Sequence, residues 1–115
     1  MDVKNIKKNK IMKRIFIVSP LSGTDREIEE NIRFTQEICR KIIQQGDNPF
    51  ASHLLYPQFL REHVDGERML GINCGINFME LCDEVWVFTT LRGITKGMKL
   101  EIEAAHKLNK KITYI

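Results

Sequence analysis

The segment Ile94-Thr95-Lys96-Gly97-Met98-Lys99-Leu100-Glu101-Ile102-Glu103-Ala104-Ala105-His106-Lys107-Leu108 carries two glutamates two positions apart. On a helix the neighbours of a residue lie three and four positions away. Glu103 therefore falls among Lys99, His106 and Lys107, on a solvent face. Glu101 instead has Gly97, Met98, Ala104, Ala105 and Leu108 around it, which places a carboxylate on or beside the inward face with little bulk nearby. A charge in that position needs a partner or a purpose.

Two loops carry residue types suited to an anion. Ser19-Pro20-Leu21-Ser22-Gly23 offers two hydroxyls and a glycine just before a helix start, where backbone N–H groups and the helix dipole favour a phosphate. A plain turn with an N-cap has the same appearance, and neither GxGxxG nor a Walker lysine is present. Arg92-Gly93-Ile94-Thr95-Lys96-Gly97 is a second glycine-containing loop, with two cations and a hydroxyl. An anion held between the two loops is the expectation.

The elements that must position these groups are legible in outline. Lys13 to Ser19 is an apolar run without polar alternation, as expected of a strand buried on both faces. Thr24-Asp25-Arg26-Glu27 has capping-box spacing, and Ile28, Ile32, Thr35, Cys39 and Ile42 recur at helical intervals until Gly46. A weaker strand is expected over 48–53 and a second helix over about 65–81, with Met69, Ile72, Ile76 and Met79 as its core stripe. A buried strand over 84–89, the Glu101 helix with Thr95 as N-cap, and a closing strand over 111–115 follow. Strands alternating with helices imply an α/β fold: a single-domain, Rossmann-like or flavodoxin-like parallel sheet of about four to five strands with helices on both faces. Ligands in such sheets bind beyond the carboxyl ends of the strands, where both loops, His53 and the start of the Glu101 helix fall.

Composition narrows the function classes. The chain has 115 residues and a formal charge of +3, but residues 1–14 alone carry +5 and the rest −2. The basicity is mostly that of an N-terminal tail over residues 1–12, expected to be flexible. It has no interleaved aromatic for base stacking, so a nucleic-acid partner is not expected. No apolar run is long enough for a signal peptide or a membrane span. Cys39, Cys74 and Cys82 lack the number and spacing of a disulfide framework or zinc site, so no metal or other cofactor is expected and the location is expected to be cytoplasmic.

Ile15-Phe16-Ile17-Val18-Ser19-Pro20-Leu21-Ser22-Gly23 resembles the first strand and loop of the nucleoside 2-deoxyribosyltransferase-like superfamily. Thr95-Lys96-Gly97-Met98-Lys99-Leu100-Glu101-Ile102-Glu103-Ala104-Ala105 resembles its S/T-x-G-x-x-x-E-x-x-x-A helix motif. Over residues 13–115 the chain is similar to the small bacterial and phage branch of that superfamily. Pro49 to Pro57, Glu67-Arg68 and Cys82 to Phe88 match as intermediate blocks. The resemblance implies an N-glycosidase or deoxyribosyltransferase acting on a nucleoside or nucleoside 5′-monophosphate, with Glu101 as the nucleophile and Glu103 as a bystander. It implies that Ser19, Pro20, Ser22, Gly23, Thr95, Gly97 and Met98 line the sugar and any 5′-phosphate, and that the protein is a homo-oligomer. The chain departs from the pattern in one respect: the loop Thr89 to Ile94 lacks the aspartate that assists the leaving base in characterised transferases. His53 is the candidate substitute, set against a structural hydrogen-bonding role. Arg68 is a candidate phosphate ligand, set against a surface salt bridge, and Arg92 is a candidate substrate-binding cation of the second loop. A non-catalytic nucleotide-binding module of the same fold is the alternative function.

Overall fold

The computed structural model describes residues 11–61, 63–64 and 66–115. The tail expected over 1–12 therefore lies, apart from the exposed Ile11 and Met12, outside the described residues, as does the expected helix start at Asp65.

Four strands form one parallel sheet: β1 (Arg14–Val18), β2 (Asn48–Phe50), β3 (Glu84–Val87) and β4 (Lys111–Tyr114), in the order β2-β1-β3-β4. This is the flavodoxin-like order without a fifth strand. β1 is central, with Phe16 opposite Phe50 on one side and Val85 on the other. Its residues from Ile15 to Val18 are at most 2% exposed, which explains the unbroken apolar run.

Three helices cover both faces. α1 (Asp25–Gln44) opens with the expected reciprocal capping box: Glu27 N–H donates to Thr24 Oγ1 at 3.2 Å, and Thr24 N–H donates to Glu27 Oε1 at 3.0 Å. It ends at Gly46, whose φ of +94° suits a residue without Cβ. Ile38 and Ile42 from α1 pack with Ile15, Ile17 and Ala51, flanked by Trp86 and Phe88. On the opposite face α2 (Glu67–Met79) and α3 (Lys96–Lys107) build the second core, in which Met79, Met98 and Ala105 meet Phe16, Val18, Val85 and Val87. No helix among the described residues is long and apolar enough to cross a membrane.

Two expectations are corrected. β2 ends at Phe50, and Ser52–Leu54 and Tyr56–Gln58 are 3-10 turns rather than the end of a strand. The chain turns away because Ala51 and Ser52 are drawn into the core, under α1 and against α2 respectively. Met69 is not core: it is 44% exposed, because α2 leans inward on Gly71, Ile72, Gly75 and Met79, which displaces the buried stripe.

Candidate active site

The loop after β1 is tied down from the α1 side. Thr35 Oγ1 lies 2.8 Å from Ser19 Oγ, and Asn31 Nδ2 donates to the Leu21 carbonyl at 3.0 Å. Both helix residues are buried polar groups whose hydrogen bonds are thereby satisfied. Ser19 therefore spends its hydroxyl on α1 and reaches the site only through its backbone, which hydrogen-bonds His53. Pro20 is buried in the same loop. Gly23 sits at φ +153°, where a Cβ would meet Glu27 Cβ at 2.8 Å, so it shapes the turn into α1.

On the other side of the sheet α3 starts at Thr95, whose hydroxyl accepts from Met98 N–H at 3.2 Å. Met98 itself is fully buried core rather than a lining residue. One turn on, Glu101 is 0% exposed. Its Oε2 accepts from Ser52 Oγ at 3.1 Å, while Oε1 is a buried side-chain oxygen with no hydrogen-bond partner. That oxygen lies 3.8 Å from His53 Nε2. Burial pushes the Glu101 carboxyl up to about 8, against a smaller downward pull from Ser52. Burial and the Arg68 charge take His53 down to about 4, opposed by its bond to the Ser19 backbone. At neutral pH the two groups are thus a carboxylic acid and a neutral imidazole, and their proximity is not an ion pair.

Beside them is a cavity of about 30 Å³ whose lining includes Ser22, Ser52, His53, Arg68, Thr95 and Gly97, with Glu101 set behind Ser52 and His53 rather than in the lining. Tyr56, Pro57, Leu60 and Ile72 form its apolar wall, and Glu67 is the carboxylate among the described lining residues. Arg68 donates to Ser22 Oγ and passes over Gly97, where a Cβ would lie 3.4 Å from its guanidinium. Gly75 permits equally close packing below: a Cβ there would lie 3.0 Å from Ser52 Cβ, so this glycine lets α2 press against the turn that holds Glu101.

The expected residues thus divide. Ser22, His53, Arg68, Thr95 and Gly97 line one cavity with Glu101 behind it, while Ser19, Pro20, Gly23 and Met98 support it from outside. Arg92 is elsewhere. Its Nε pairs with Glu27 Oε2 at 2.9 Å and its Nη2 with Glu30 Oε2 at 3.3 Å, beside an open groove lined by Glu30, Asn31, Phe34, Thr90 and Leu91. Two carboxylates on α1 draw the guanidinium away, so of the two expected arginines it is Arg68, from α2, that lines the cavity. Sequence reasoning gave no role to Ser52, Tyr56, Leu60 or Glu67. A serine directly before His53, and Gly71 and Gly75 four apart on one helix, were the available signals. Glu103 is exposed, as its neighbours implied. Among the described residues no cluster of potential ligands could hold a metal ion.

A parallel α/β sheet with a buried carboxyl under its carboxyl-terminal edge defines the class. Residues 13–115 match the family described as Domain of unknown function (DUF7768), and the chain belongs to that family. No curated protein sequence matches significantly. Among solved structures, the fold is similar to a 2-deoxyribosyltransferase from the psychrotolerant bacterium Bacillus psychrosaccharolyticus, characterised as a biocatalyst for the synthesis of nucleosides. The TM-score is 0.64 at 13% identity, covering 88% of this chain and 70% of that one. At that identity the likeness is one of fold.

Proposed function

We propose that the protein is an N-glycosidase or deoxyribosyltransferase acting on a nucleoside or nucleoside 5′-monophosphate, with Glu101 as the nucleophile. The observation that carries this reading is the Glu101 carboxyl itself, wholly buried behind the cavity-lining Ser52 and His53, with one oxygen left without a hydrogen-bond partner among the described residues. Structural carboxyls in protein interiors are paired. In the proposed reaction Glu101 attacks the anomeric carbon and the C–N bond breaks through an oxocarbenium-like transition state. The glycosyl ester then passes to water or to a second base. Ser52 holds Oε2 so that Oε1 faces the sugar. Arg68, Ser22 and Thr95 receive a 5′-phosphate, which parts the Arg68–Ser22 bond and takes over its donors. Tyr56, Pro57, Leu60 and Ile72 supply the apolar wall for the base.

The cavity has room for about two water molecules, so a nucleotide enters only as Arg68 moves aside. That covered state favours a second reading, a binding module that holds a nucleotide without turnover. Incubation with a panel of 2′-deoxynucleosides and their 5′-monophosphates separates the two. Free base released by wild type and abolished in Glu101→Gln supports the enzyme, whereas tight binding with no release supports the module. We further propose self-association, because α2 presents Met69, Leu70 and Phe78 to solvent at 44%, 56% and 41% exposure. A strictly monomeric mass at micromolar concentration counts against it.

A further inference from the structure

A nucleophilic carboxylate must be ionised, yet Glu101 is buried in surroundings that retain its proton, and among the described residues no positive side chain is hydrogen-bonded to it. Facing the orphan oxygen is the basic atom His53 Nε2, at 3.8 Å. We propose that His53 is the proton acceptor for Glu101, so that the pair shares a single proton which rests on Oε1 and moves to Nε2 when substrate enters the cavity.

The step balances without an outside reagent. The O–H bond of Glu101 breaks, its electron pair stays on Oε1, and the Nε2 lone pair takes the proton, so the pair keeps zero net charge throughout. This matters for a fully buried carboxyl, because moving one proton between two neighbours avoids importing an uncompensated charge. The carboxylate then forms the C–O bond while the glycosidic C–N pair leaves with the base. The imidazolium returns its proton to that base through a water that enters with the substrate. Neutral His53 next deprotonates the water that cleaves the ester, and the proton finally returns to Oε1. The gap of 3.8 Å exceeds a hydrogen bond by about 1 Å, and such contacts tighten in the bound complex. Direct in-line protonation of the base by His53 is a different geometry, which needs the sugar between nucleophile and acid at about 5 Å or more.

The groups facing the pair set its proton count. Arg68 from α2 opposes a second proton on His53, the Ser19 backbone after β1 accepts from the ring, Ser52 donates to Oε2, and Glu67 lies across the cavity. Between about pH 4 and about pH 8 the pair therefore holds one proton, consistent with the directions in which burial moves both groups.

This inference rests on the nucleophile assignment, and two readouts keep their failures apart. The first uses no substrate: ring nitrogens of the full chain, labelled at histidine, are titrated by NMR from below pH 4 to above pH 8. Wild-type His53 Nε2 should move as Glu101 ionises near pH 8, and the same inflection should be absent in Glu101→Gln. Its absence in wild type overturns the proposal whether or not the protein is an enzyme. The second readout is base release from 2′-deoxynucleoside 5′-monophosphates, tested one at a time. Wild-type kcat should be level between the two limits. His53→Asn should lower kcat at least about 100-fold with little change in KM, and its kcat should climb with pH towards the Glu101 titration. A His53→Asn profile that keeps the wild-type plateau and kcat overturns the relay. An NMR inflection without base release from any monophosphate leaves the shared proton standing and removes the glycosidase reading.

Discussion

The two faces of the sheet are built to different standards. On the α1 face a twenty-residue, capped, strongly amphipathic helix lays Ile38 and Ile42 on Ile15 and Ile17, and its buried Asn31 and Thr35 have their hydrogen bonds satisfied. The α2–α3 face also carries a fully buried core, but it is interrupted by a cavity. α2 is thirteen residues long, contains Gly71 and Gly75, exposes apolar side chains outward, and leaves a cavity beside an unsatisfied carboxyl. One face has its buried polar groups satisfied and the other leaves a carboxyl oxygen unpaired, and the candidate chemistry lies beside that oxygen. The same contrast separates the two arginines expected to bind substrate. Arg92 is neutralised by α1 carboxylates in exposed pairs, whereas Arg68 bonds a hydroxyl inside the cavity.

The sharpest test of this asymmetry is Glu101→Gln. Turnover should fall by at least about 1,000-fold, since the nucleophile is lost, while folding survives because the amide can accept from Ser52 and donate to neutral His53. The stability comparison has a definite sign. A carboxyl whose folded pKa is raised from 4.5 to about 8 favours folding below 4.5 and loses that contribution as pH rises through 8. Thermal melts should therefore show the variant gaining on wild type from pH 5 to pH 9. A variant that melts lower at every pH would make Glu101 a structural residue.

Ile42→Ala probes the other face. It should cost about 2–5 kcal/mol in denaturant titrations yet leave the pH dependence of base release unaltered. A changed profile would mean that the faces are coupled. Arg68→Ala should remove most of the preference for monophosphates over nucleosides, about tenfold or more for a charge-assisted contact of roughly 1.5–3 kcal/mol. Equal affinities already in wild type would take phosphate out of the site. Arg92→Ala and Glu103→Gln should be nearly silent, within about 0.5–1 kcal/mol in stability and unchanged in turnover, as exposed charges generally are.

What the sequence disclosed, and what it withheld, follows the range of the interactions. β1 was legible because burial on both faces leaves only apolar residues, and the ends of α1 and α3 because Thr24, Glu27 and Thr95 cap within three positions. The contrast between Glu101 and Glu103 needed only helical spacing. The Ser52 turn was not legible, since Ser52 bonds a carboxylate 49 positions away and packs on a glycine of another helix. The partners of Arg92 lie 62 or more positions upstream, so a basic residue beside a glycine looked like an anion loop when its charge was already balanced.

The orphan oxygen of Glu101 also bears on how this chain can change over time. A glutamine or a hydrophobic residue of similar size at position 101 would relieve the desolvation of the carboxyl, so mutation under selection for foldedness alone drifts away from glutamate. A lineage that lost its substrate would be expected to shed this residue early and become more heat-resistant as it did so. Glutamate at 101 can thus be treated as a marker of retained chemistry among sequences of this fold, readable before any activity is assayed.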